Sequence, residues 1–270
     1  MATKASSDPA TALAEHVAGS EEAFVAMMNA RAAELGMADT HFTNCTGLDD
    51  LPEAETHRST AYDIALMSRE LLRHEAIRRF TTIWMDTVRQ GEFGLTNTNK
   101  LVRFYEGTTG LKTVYTSAAG HCLSASAERD GTEYLAVVLH CSSSGERFQS
   151  ARTLLDYGFA NFALARPDPA AVIPPVPVLL GEQEQVHPVP AEERPVLVEK
   201  GRLNRVTTEV RVDESVRAPV EAGQRLGTMT LSAEGEVLAE LPLVAPEEIP
   251  ARTWQSLTEE LLRVLLHCAE

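Results

Sequence analysis

The segment His121–Cys141, HCLSASAERDGTEYLAVVLHC, decides how this chain folds. Two runs of β-compatible residues flank Asp130-Gly131, a pair suited to a two-residue type I′ turn because both central positions need positive φ. The segment is therefore expected to be an antiparallel hairpin with Cys122 opposite Leu139. In that register Cys122 and Cys141 share a face but sit diagonally, poor geometry for a disulfide. Just before it, GLKTVYT (110–116) reads as a further strand, so the three make an antiparallel meander. Just after it, ERFQSARTLLDYGFANF (146–162) sets Phe148, Ala151, Leu155 and Phe159 on one helical stripe, expected to lie across that sheet.

Toward the amino terminus the pattern is helical. Asp8 and Pro9 read as N-cap and first residue of a helix running to about Val17, since proline lacks only an N–H that would be unpaired there. Ser20 caps a second helix with Glu21 and Glu22 at its positive end, and Gly36 stops it. A third is expected from Ser59, with Ala61, Ile64, Ala65, Ser68, Leu71 and Leu72 along one side.

Toward the carboxyl terminus, LARPDPAAVIPPVPV (164–178) crowds five prolines together, and no helix continues through it. The domains are accordingly drawn as 1–165, a linker at 166–178, a second domain at 179–249 and a tail at 250–270. The second domain is read as all-β from the short runs RPVLVEK, TTEVRV, GTMTLS and EVLAELPLV between turn residues. In the tail, Trp254, Leu257, Leu261 and Leu265 share a face of an amphipathic helix, whose expected contacts are its own domain, a protein partner or, weakly, a membrane. Glu259 and Glu260 disfavour anionic lipid.

A net charge of −15, from 24 basic against 39 acidic residues, argues against nucleic acid as a partner, which needs clustered Lys and Arg. The four cysteines form no C-x-x-C, and the eight histidines no H-E-x-x-H, so no metal site or cofactor is indicated. The first residues hold no apolar run suited to a signal peptide, so expression as written would leave the chain in the cytoplasm.

Several stretches together resemble the D-alanyl-D-alanine carboxypeptidases, the low-molecular-mass penicillin-binding proteins. They are ALAEHVAGSEEAFVAMMNARAAELGMADTHFTNCTGLDD, STAYDIALMSRELL, TNTNKLVRFYEGTTGLKT, SAAGHCLSASAERDG with AVVL, and APVEAGQRLGTMTL. The resemblance implies an α/β (α+β) β-lactamase/transpeptidase-like domain, here incomplete, followed by a small all-β domain and a C-terminal amphipathic helix. It also implies a serine peptidase at the cell envelope that trims peptidoglycan stem peptides through an acyl-enzyme and is acylated by β-lactams. Such a site uses S-x-x-K, S-x-N and K-T-G. The serine attacks the amide carbonyl, the lysine one helical turn on takes its proton, and S-x-N adds proton handling and hydrogen bonding. The lysine and threonine of K-T-G receive the terminal carboxylate, and its glycine lets backbone approach.

Here the motifs are incomplete. Three places before Lys4, Lys100, Lys112 and Lys200, the only lysines, stand Met1, Asn97, Thr109 and Leu197, so S-x-x-K is absent. No serine has Asn two places on; the register puts Ala5, Ser6 and Ser7 in the S-x-N place. Of K-T-G, Lys112 and Thr113 remain and Val114 stands for glycine. Valine suits a strand, but its isopropyl group would hold off a substrate strand on that face. The chain is thus expected to start downstream of the family's leader, first strands and nucleophile helix, and to be inactive alone. Apolar surface and an open sheet edge left by the missing parts make poor solubility the expectation. The alternative function is a non-catalytic peptide-binding or interaction module built on the same fold.

Overall fold

A computed structural model describes residues 7–49, 56–168, 171–192, 194–254 and 258. The chain divides into two units, 1–160 and 161–270.

The first unit opens with α1 (Ser7–Ala18) and α2 (Glu21–Glu34). Ser20 caps α2 as its chemistry suggests: its backbone is extended and its hydroxyl accepts the Ala23 N–H at 3.1 Å. Next, α3 (Ala61–Leu72) is capped by Thr60 rather than Ser59, the Thr60 hydroxyl accepting the Asp63 N–H at 3.1 Å. Both residues can cap; the Ser59 hydroxyl is instead 2.8 Å from that of Thr40, a partner distant in sequence. Sequence reading did not anticipate α4 (Glu75–Thr81), the hairpin of β1 (Met85–Val88) and β2 (Phe93–Thr96), or α5 (Leu101–Phe104). The hairpin's tip puts Arg89 and Gln90 at φ of 53° and 60°, non-glycine residues that give no turn signal.

The meander follows as β3 (Thr108–Thr116), β4 (Gly120–Arg129) and β5 (Thr132–Cys141), antiparallel and in that order. Asp130 and Gly131 have φ of 51° and 71°, and Arg129 pairs with Thr132, as a type I′ turn requires. The expected register holds to Leu123↔Val138 and then slips, so that His121 faces Cys141. A bulge at His140, whose φ is 55°, causes this. It corrects the earlier placement of the cysteines: Cys141 takes the His121 side, Cys122 the other, and Cys45, Cys122 and Cys141 are free thiols.

α6 (Ser144–Asn161) lies across one face of this sheet, as its apolar stripe requires. Phe148, Ala151 and Leu155 pack there with Leu123, Ala125 and Ala136. Burying a side chain such as Leu155 contributes about 1.5–3 kcal/mol. On the opposite face α3 packs against β5 and touches β4, while α2 packs on α1.

The second unit begins with β6 (Phe162–Ala165), four residues that the sequence division at 165 grouped with the first domain. Then come β7 (Val176–Leu179), β8 (Gln185–Val186), β9 (Val189–Pro190), β10 (Val196–Glu199), α7 (Lys200–Leu203), β11 (Val206–Val212), β12 (Val216–Arg217), β13 (Arg225–Ala233) and β14 (Glu236–Val244). β6 pairs with β10; β11-β13-β14-β9 and β12-β7-β8 form two further sheets. Met229, Leu231, Leu241 and Leu243 make one core, and Val176, Val220, Leu226 and Ile249 lie in another. This is the all-β unit expected. The tail helix expected over 250–270 lies, apart from residues 250–254 and 258, outside the described residues. Among the described residues no helix is long and apolar enough to cross a membrane.

Candidate functional site

The strand that carries Lys112 is held by the loop Thr96–Lys100, TNTNK. The Asn97 amide donates to the carbonyls of Thr81 (3.1 Å) and Ile83 (2.9 Å), and its oxygen accepts the Asn99 N–H at 2.9 Å. Buried Asn99 donates to the Gly110 carbonyl at 3.1 Å, and the hydroxyls of Thr98 and Thr113 meet at 2.6 Å. Asn and Thr suit such a loop because their short side chains satisfy backbone groups that no ladder reaches. Gly110 permits the close approach: a Cβ there would lie 2.8 Å from Thr81 Oγ1, which donates to the Thr109 carbonyl at 2.7 Å.

Strand alternation then sorts the three residues singled out in sequence. Thr113 pairs with Leu123 and is buried, whereas Lys112 pairs with Ser124 and Val114 with Cys122 on the opposite face. Lys112 is exposed as a residue, but its ammonium folds back and donates to the Thr113 carbonyl at 2.7 Å. Burial of that end, and after it the charge of Arg147, hold the Lys112 pKa below the ordinary lysine range.

Arg147 itself was missed in sequence. It is 7% exposed and reaches from α6 to donate to the carbonyls of Val114 (3.0 Å) and Cys122 (3.3 Å). Its Nε is buried without a hydrogen-bond partner, and burial pushes its pKa down. A signal was present: Arg147, Ala151 and Leu155 are spaced by four, so the arginine lies on the buried stripe of its helix. Arg147 thus braces β3 and β4 from the α6 side, while Lys112 stands on the groove face as the cation suited to an anion such as a carboxylate. Of the residues in the expected S-x-N place, Ala5 lies outside the described residues and Ser7 is the first residue of α1.

Lys112 and Val114 also border a groove of about 1020 Å³ between the sheet and the helices, lined mostly by apolar side chains. Phe24, Met27 and Met28 of α2 and Ile64 and Met67 of α3 form one side; Leu111, Val137 and Leu139 of the sheet form the other.

A helix-covered antiparallel meander with this cation-bearing strand, followed by an all-β unit, defines a mixed α/β transpeptidase-like protein with a C-terminal β domain. The chain belongs to the D-alanyl-D-alanine carboxypeptidase family, whose profile matches residues 1–143. The profile for the C-terminal domain of penicillin-binding protein 5 matches residues 171–251. D-alanyl-D-alanine carboxypeptidase DacF of Bacillus subtilis is 38% identical over 256 residues, covering 92% of this chain and 64% of that relative. The chain spans about three fifths of the length of the curated relatives it matches. Penicillin-binding protein 5 of Haemophilus influenzae superposes with a TM-score of 0.74 at 26% identity, over 90% of this chain and 71% of that one. Penicillin-binding protein D2 of Listeria monocytogenes, solved in a cefotaxime-bound form, superposes with a TM-score of 0.52 at 32% identity. That match covers 57% of this chain and 61% of that one.

Proposed function

We propose that this chain provides the carboxylate-receiving wall of a serine-type D-Ala-D-Ala carboxypeptidase and does not by itself carry out the acyl transfer. The observation that carries this reading is Lys112 on the groove-facing side of β3, next to Thr113, whose hydroxyl meets that of Thr98 at 2.6 Å. Lys112 supplies charge for the terminal carboxylate of a stem peptide or for the carboxylate of a β-lactam, and Thr113 sets the strand through its bond to Thr98.

Hydrolysis through an acyl-enzyme also needs a serine whose proton a neighbouring lysine takes, and no S-x-x-K or S-x-N occurs in the 270 residues. Losing the serine in a comparable acyl-transfer enzyme lowers kcat by about 10⁶, roughly 8 kcal/mol of transition-state stabilisation. The Lys112-Thr113 pair, present in these 270 residues without those motifs, supports a second role, reversible binding of peptides ending in D-Ala-D-Ala.

Fluorescent penicillin with intact-mass analysis separates the two activities. The expected result is no covalent adduct, together with reversible retention on immobilised D-Ala-D-Ala peptide that Lys112→Ala abolishes. A β-lactam adduct on the chain would overturn the inactivity, and absence of retention would overturn the binding role.

A further inference from the structure

We infer that the β1–β2 hairpin and the short helix α5 beside it form a platform for an acidic glycan, the carboxylate-bearing strand of acetamido sugars from which stem peptides branch. All four residues of β1 are exposed, and so are Phe93, Gly94 and Thr96 of β2. A two-stranded hairpin is marginal in water, and apolar side chains left exposed on one mark a surface that binds something. Val88 pairs with Phe93 and Asp86 with Leu95, and the Asn97 N–H donates to the Trp84 carbonyl at 2.8 Å, which carries the pairing one step past β1. Strand alternation therefore sets Trp84, Val88, Phe93 and Leu95 on one side of the ribbon. Trp84 in turn meets Phe104 of α5 edge to face, ring centroids 6.0 Å apart. At about 3.3 Å per strand residue the row runs roughly 13 Å from Trp84 to Val88, and Phe104 lengthens it. Phe104 is 65% exposed and Phe93 54%.

Charge selects the occupant. Arg79, Arg89, Lys100 and Arg103 are exposed and, among the described residues, form no ion pair, whereas Arg31, Arg78 and Arg202 do. Arg89 follows Val88 at one end of the row, and Lys100 and Arg103 adjoin Phe104 at the other. Four cations without acid partners, in a chain whose net charge is −15, complement an acidic ligand. The rings beside them favour a glycan, because the C–H faces of sugars lie flat on electron-rich aromatic faces while the cations meet carboxylates. Asp86 shares that side of the ribbon, but its carboxylate accepts the neighbouring Thr87 N–H at 2.8 Å. A bilayer fits less well: the turn is Arg89-Gln90-Gly91-Glu92, and insertion needs apolar groups to lead. The platform also adjoins the strand that receives the peptide. Helices α4 and α5 pack on β3, and the TNTNK loop closes the hairpin through Asn97 and reaches Thr113 through Thr98.

The inference rests on the proposed function for the identity of the glycan, and the test separates the two. Peptidoglycan strands stripped of their stem peptides by an amidase are titrated into the full chain carrying Trp254→Phe, which leaves Trp84 as its one tryptophan. A saturable change in Trp84 fluorescence is expected, weakening as ionic strength rises. Arg103→Glu and Phe104→Ala should each bind about tenfold more weakly with unchanged circular dichroism. Should Phe104→Ala lose its fold, Arg103→Glu, at an exposed position, still decides. Lys112→Ala should keep glycan binding, and Arg103→Glu should keep D-Ala-D-Ala retention, so each reading can fail alone. Four results would each overturn the inference: no binding of the stripped strands, undiminished binding by the Arg103→Glu chain, loss of glycan binding in Lys112→Ala, or capture of phosphatidylglycerol vesicles in place of the strands.

Discussion

Lys112 has to be charged to hold a carboxylate, and its surroundings oppose that charge. Because burial and Arg147 lower its pKa, peptide retention should decline with rising pH, at a lower pH than an ordinary lysine would give. Retention measured across an alkaline pH series tests this; a profile flat through the lysine range would refute it. Val114 lies on the same face as Lys112 and is 36% exposed. If its isopropyl group holds the peptide off, Val114→Gly should tighten retention while costing about 1 kcal/mol of stability through glycine's freedom in a strand. Tyr105 offers a check on the packing below the site. Burial, and then its hydrogen bond to Asp156 at 2.7 Å, raise its pKa to about 12. The unfolded chain gives up that proton near pH 10, so stability should fall as pH rises from about 10 to about 12. Tyr105→Phe should flatten that decline in alkaline denaturant titrations.

Among the elements, α6 does most to hold the site, since it buries the sheet's inner face and carries Arg147 across to β3. Leu155, 1% exposed, is the test residue: Leu155→Ala should cost about 2–5 kcal/mol in urea unfolding, the range for an emptied core position. Ser20 and the Asp130-Gly131 turn were legible in sequence because a cap and a two-residue turn are settled by atoms within a few residues. The β1–β2 hairpin was not, because Arg89 and Gln90 adopt a conformation their identities do not announce. The slip at His140 was hidden for a similar reason: a bulge adds one residue to one strand, and only the paired strand reveals which.

At the scale of the whole molecule, each unit has a hydrophobic core of its own. Two unfolding transitions are therefore expected in calorimetry, with Leu155→Ala moving one and Leu243→Ala the other. A single transition shifted alike by both variants would show that the cores do not melt separately. The sequence by itself determined the meander, its covering helix, the all-β second unit and the Lys112-Thr113 pair, because periodicity, caps and turns are written in neighbouring residues. Tertiary structure alone decided that Arg147 braces β3 and β4, that Cys122 and Cys141 face opposite ways, and that apolar faces of α2, α3 and β5 border an open groove. Those facts depend on residues dozens of positions apart arriving at one place. What lies between two surfaces is a property of neither alone.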